Sequence, residues 1–121
     1  MPGARPAHEP DTGDFIWIDL DPTAGHEQRG RRLALVLSPI GYNAKTGLML
    51  ACPITNRVKG YPFEQALPKG MVPTGVALCD QVRCLDWRAR NVERIGVAPA
   101  QLTQKVLGRL GALLGYDSPA S

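Results

Sequence analysis

Two side chains in this sequence stand where a phosphate can be gripped. Arg32 opens the apolar run Arg32-Leu33-Ala34-Leu35-Val36-Leu37, and Thr55 follows the apolar stretch Leu48 to Ile54. An arginine at the mouth of a buried strand has a rigidly held backbone, while its planar, permanently charged fork faces the adjoining loop and suits two phosphate oxygens. A threonine hydroxyl there can donate to a phosphate oxygen or to a leaving group. Both residues also have plainer uses, the arginine snorkelling over the rim of the fold and the threonine simply ending a strand. Residue type alone favours the plainer uses.

The segment before Arg32, DPTAGHEQRGR at 21–31, is polar, carries two glycines and reads as a long exposed loop. Its Glu27 could serve as a base if partly desolvated, hold Arg32 as an ion pair, or stay solvated. His26 has a pKa range suited to proton transfer. Two other motifs in this region fail. Gly25 to Gly30 has the glycine spacing of a phosphate-binding loop, but Arg31-Arg32 stands where Lys-Ser/Thr belongs and a strand follows where a helix is needed. Asp19 and Asp21 share one face of a strand but end in a proline turn with no third ligand, which favours a turn over a metal pair. Cys52, Cys79 and Cys84 form no CxxC, and His8 and His26 are the only histidines, so neither a metal nor any other cofactor is expected. The pairing Cys79/Cys84 is disfavoured in a reducing compartment.

The elements that must position these residues are mostly strands. Asp14 to Leu20, Arg32 to Leu37 and Leu48 to Cys52 have strand length and composition, and shorter ones recur at Phe63–Leu67, Gly75–Leu78, Gln81–Leu85 and Arg94–Val97. Asn43 to Gly47 reads as a turn. Prolines and glycines between the strands predict an all-β barrel or sandwich. One helix is expected, from Pro99 to Leu114, with Leu102, Val106, Leu110, Leu113 and Leu114 on one stripe and Gly115 past its end. The 121 residues allow one domain, at 13–116, with tails at 1–12 and 117–121. No apolar run is long enough to span a bilayer and the N-terminus lacks a signal-peptide core, so a cytoplasmic protein is expected.

Net charge is +3, but it is unevenly spread: residues 1–28 carry −5, residues 29–94 carry +7 and the remainder +1. Most of the central cations are arginines, the residue type suited to phosphate. A solvated basic surface is the plainer account of that excess.

Several strings, in order, resemble the MazF (PemK-like) toxin family: GDFIWIDLDPT, LVLSP, KTG, KGYPFE, GVALCDQVR and DWRAR. They cover Gly13 to about Gly115. The resemblance implies a mainly β, SH3-like barrel of the MazF/CcdB toxin type with a C-terminal helix, forming a homodimer with RNA in grooves at or near its interface. It implies a type II toxin that cleaves single-stranded RNA sequence-selectively without metal, and an antitoxin with an acidic, flexible tail. Messenger, ribosomal and transfer RNA are all open as substrates. The chemistry would be attack of the 2′-hydroxyl on phosphorus, leaving a 2′,3′-cyclic phosphate and a 5′-hydroxyl, which needs a base, a cation for the phosphorane and an acid. By position, the resemblance makes Arg32 the catalytic arginine, with Thr55 and Glu27 beside it. Asn43, Asp80, Gln81 and Arg83 fall on its RNA-binding positions; Gln28 and Arg29 are further expected RNA contacts, Arg29 adding phosphate affinity where relatives carry a smaller residue. Asn43 also suits a turn, and Asp80 a loop brace. Relatives carry a small residue at His26, which argues against a necessary role for it. Arg31 is expected to add phosphate affinity and Trp87-Arg88 and Arg90 to clasp phosphate or the antitoxin tail; Trp17, Trp87, Tyr42 and Tyr61 could stack on bases, but most are expected to lie in the core. The same barrel also serves a non-catalytic toxin type that acts on DNA gyrase.

Overall fold

The computed structural model describes residues 9–19 and 30–116. In chain order the elements are β1 (Asp14–Asp19), β2 (Arg31–Val36), α1 (Ile40–Thr46), β3 (Leu48–Thr55), β4 (Glu64–Ala66), β5 (Val76–Leu78), β6 (Arg83–Asp86), β7 (Glu93–Val97) and α2 (Ala100–Leu113). A single 3₁₀ turn at Trp87–Ala89 joins β6 to β7. The strands form one antiparallel sheet in the order β4-β5-β3-β2-β1-β7. β3 is long enough to serve two partners along one edge. Its first half pairs with β6 and its end with β5.

The three central strands are apolar on both faces, which is why they read as near-continuous apolar runs. Phe15, Leu35, Cys52 and Ile54 point to one core, closed by β4, β5 and the Leu102 and Val106 face of α2. Ile16, Ile18, Ala34, Val36, Met49 and Ala51 point to the other, closed by Leu85 and Trp87. Cys52 and Cys79 are free thiols inside the first core, as expected. Burial, reinforced by Cys79 nearby, pushes the Cys52 thiol up to about 12, and burial also raises Cys79, so both remain unreactive.

Three expectations change. The turn at 43–47 is the end of helix α1, whose seven residues are too few to display a helical period. Gly47 ends it in the left-handed conformation at φ 76° and donates its N–H to the Asn43 carbonyl. Secondly, the apolar stripe of α2 is only half used: Leu102 and Val106 are buried, whereas Leu113 and Leu114 are 44% and 73% exposed. Thirdly, of the four aromatics assigned to the core only Trp87 is there; Trp17, Tyr42 and Tyr61 are exposed.

Candidate active site

The β1–β2 hairpin sets the position of Arg32. Ile18 pairs with Arg32 and Asp19 with Arg31, so Arg32 sits at the mouth of the sheet, on the face of Ile18 and Ala34. On the other side of β2, Ala34 pairs with Pro53 and Leu35 with Cys52. Arg32 and Thr55 each lie two residues beyond the last of these pairs, at the same end of β2 and β3, and both line one open cleft of about 770 Å³. Thr55 Oγ1 accepts the Arg57 N–H at 3.1 Å. With a lone pair so used, its hydroxyl proton is directed elsewhere and can be given to a ligand.

The cleft is strongly cationic. Among the described residues Arg31, Arg32, Arg57, Lys59 and Arg83 line it, against the one carboxylate of Glu64. These cations are not equivalent. Arg31 Nη1 bonds Asp19 at 2.8 Å and its Nη2 lies 3.6 Å from Glu93, so it locks β1, β2 and β7 together. That is a correction to its expected phosphate role. Among the described residues the guanidinium of Arg32 has no such partner, and it is exposed. Arg83 stands beside Ala51 on β6 and is exposed as well. Low dielectric walls on one side and several unpaired cations on the other focus a field that attracts phosphate.

Glycine holds the Thr55 turn in place. Gly75 adopts φ 109°, and a Cβ there would lie 2.2 Å from the Thr55 carbonyl oxygen. Beside it, Thr74 Oγ1 donates to Asn56 Oδ1 at 2.9 Å. Gly75→Ala is therefore expected to push Thr55 out of register, destabilising the fold by roughly 1–3 kcal/mol in urea melts and lowering turnover by more than the stability loss explains. An unchanged melt with unchanged turnover would contradict this.

The remaining sequence-predicted residues divide. Gln81 and Arg83 line the cleft; Asp80, in the exposed turn between β5 and β6, does not. Asn43 is not at the surface at all. It is fully buried, its Oδ1 accepting from Ser38 Oγ at 2.6 Å and its Nδ2 donating to the Pro10 and Ser38 carbonyls, both at 2.9 Å. No side-chain atom is left for RNA. Trp87 and its neighbours likewise serve the fold. Trp87 Nε1 donates to the Asn43 carbonyl, Arg88 Nη2 to the Ala44 carbonyl and Arg90 Nη1 to the Asp19 carbonyl. Glu27, Gln28, Arg29 and His26 lie outside the described residues. Trp17 and Tyr61 line the cleft, which fits the stacking alternative rather than the core placement expected of most of the aromatics, and Lys59 Nζ lies 5.8 Å from the Tyr61 ring centre. The interleaving of bases and an aromatic in Arg57-Val58-Lys59-Gly60-Tyr61 was the available signal.

A paired cation and hydroxyl in a basic cleft describe an anion site of many protein classes, and the comparison with known families decides among them. The model of the PemK-like, MazF-like toxin of type II toxin–antitoxin systems matches residues 11–114. The chain belongs to this family. It is 51% identical over 107 residues to the endoribonuclease toxin MazF of Escherichia coli strain K12, covering 88% of this chain and 95% of that protein. Among solved structures, MazF of Deinococcus radiodurans matches with 56% identity and a TM-score of 0.78, covering 88% and 96% of the two chains. A MazE–MazF structure from that organism matches with 49% identity and a TM-score of 0.79, covering 89% and 97%. The fold of this MazF-like toxin is thus that of its relatives: a mainly antiparallel sheet with a C-terminal helix. No helix among its described residues is long and apolar enough to cross a membrane.

Proposed function

We propose that this MazF-like toxin is an endoribonuclease that cuts single-stranded RNA at selected sequences by 2′-hydroxyl attack, leaving 2′,3′-cyclic phosphate and 5′-hydroxyl ends. The observation that carries this reading is that Arg32 and Thr55 line one cleft, in which Arg57, Lys59 and Arg83 add positive charge and Glu64 is the one acid among the described residues that line it. Arg32 meets the charge that develops on the phosphorane, and Thr55 donates to an oxygen of the same phosphate. The nucleophile is part of the substrate, so the reaction requires no metal. Glu27 is the proposed base. In its support, the cleft's Glu64 is already bonded to backbone N–H groups, and chain connectivity places Glu27 five residues before Arg32. Gln28, Arg29, Asp80, Gln81 and Arg83 are proposed RNA contacts, with Trp17 and Tyr61 as stacking surfaces for unpaired bases. Messenger RNA in the cytoplasm is the proposed target. Curated relatives at 51% and 39% identity are endoribonucleases, which favours this reading over a gyrase-directed toxin.

Two partners complete the proposal. One is an antitoxin whose acidic, flexible tail occupies the cationic cleft; the MazE–MazF structures of D. radiodurans support it. The other is a second copy of the chain, supported by the exposed Leu113 at the end of α2 and Leu114 just past it.

Incubation with a pool of single-stranded RNA in EDTA tests the activity. New ends that a kinase labels without prior phosphatase treatment are expected. Thr55→Val is expected to lower kcat about 100-fold, with KM little changed. Binding without cleavage would leave an RNA-binding module, and neither would point to a non-catalytic toxin.

A further inference from the structure

The segment 56–63 carries three of the side chains that face the cleft, Arg57, Lys59 and Tyr61, yet it contains no helix or strand. A loop bearing two like charges repels itself, so something must oppose its spreading. Glu64, the first residue of β4, does so from within. One carboxylate oxygen accepts the Gly60 N–H at 2.9 Å and the other accepts the Lys59 N–H at 3.0 Å. Gly60 sits at φ 84°, a left-handed conformation open to glycine, in the turn that leads from these donors to Glu64. The Glu64 N–H in turn donates to the Tyr61 carbonyl at 3.1 Å. The far side of the loop is tied to α2: Arg109 donates to the Pro62 carbonyl and, through Nε, to Gln65 Oε1 at 2.8 Å.

From this geometry we infer that Glu64 is a positioning residue for substrate: its carboxylate holds loop 56–63 in the shape that presents Lys59 and Tyr61 to RNA. The inference rests on the cleft being an RNA site. It also reverses the sign expected from charge alone. A negative side chain in a phosphate cleft repels substrate, so removing it should tighten binding if Glu64 were only a solvated acid. If Glu64 orders the loop, removing it weakens binding although the cleft becomes more positive.

The experiment uses the full chain and a single-stranded RNA oligonucleotide that the wild type cleaves. Glu64→Ala is expected to raise KM about tenfold, the loss typical of a charge-assisted hydrogen bond, with kcat within about threefold of wild type. Glu64→Gln keeps one acceptor oxygen and is expected to raise KM about threefold. In amide NMR spectra of Glu64→Ala, the Lys59 and Gly60 signals should move upfield while those of Leu35 and Cys52 stay in place, which shows the loop released and the core intact. An unchanged or lowered KM in both variants overturns the inference, as do unmoved Lys59 and Gly60 signals. A collapse of kcat at constant KM in both variants also overturns it, by making Glu64 a proton-transfer group. Failure of the wild type itself to bind or cleave RNA removes the RNA reading of the cleft, a result separable from any of these.

Discussion

Arg32→Ala is expected to lower kcat for RNA cleavage by about 10³-fold, while the protein melts at or slightly above the wild-type temperature. The two halves of this expectation come from one geometry. Arg32 is exposed, and among the described residues its guanidinium has no hydrogen-bond or ion-pair partner, so truncating it breaks no such bond there. It also removes one of several cations that crowd the cleft with Arg57, Lys59 and Arg83, and so relieves repulsion. In the proposed mechanism its contribution is made only when charge develops on phosphorus, and such an interaction appears in kcat rather than in ground-state affinity. Arg32→Lys retains the charge but not the two-pronged donor, and should recover a minor part of the rate. Single-turnover cleavage at saturating RNA is the measurement. A rate within tenfold of wild type for a folded Arg32→Ala protein would remove Arg32 from the chemistry.

Asn43→Ala has the opposite profile: the chain loses about 3–5 kcal/mol of stability, a large share of the 5–15 kcal/mol typical of a small domain. Three hydrogen bonds end on the Asn43 side chain, which is completely enclosed. The substitution leaves the Pro10 and Ser38 carbonyls without that donor and Ser38 Oγ without that acceptor, each in a place water reaches poorly. Ser38 Oγ itself accepts the Leu50 N–H at 2.8 Å, so the disturbance extends into β3. Urea unfolding followed by tryptophan fluorescence reports it directly, since Trp87 bonds the Asn43 carbonyl at 2.8 Å. A variant with an unchanged midpoint but a raised KM for RNA would restore the surface role expected from its sequence position.

The contrast between these two residues shows which features are local. The central strands were legible because burial on both faces leaves a long apolar run, and that signal needs no knowledge of the partners. The place of Arg32 was legible for the same reason, since it stands at the boundary where such a run begins; its proposed role came from the family resemblance and not from the run. The N-terminal half of α2 was legible from its stripe at three- and four-residue spacing. Helix α1 was not, since seven residues hold too little periodicity to separate them from the turn that Gly47 also signals.

What tertiary structure alone decided is the fate of residues of one kind. Arg31, Arg32, Arg83, Arg88 and Arg90 are all arginines in polar or strand-edge sequence, and nothing local distinguishes them. Arg31 is taken up by Asp19 twelve positions away, Arg88 by the Ala44 carbonyl at a separation of 44, and Arg90 by the Asp19 carbonyl at 71. Arg32 and Arg83 are brought to one cleft only because β3 lies between β2 and β6. Asn43 is drawn inward by Pro10 from 33 positions away, and Trp17 is left at the cleft wall. Apolar patterning is a property of neighbours in sequence, so the chain alone determined its strands and the mouth at which Arg32 stands. Which polar groups are consumed by the fold and which remain for RNA depends on partners that only folding brings within reach.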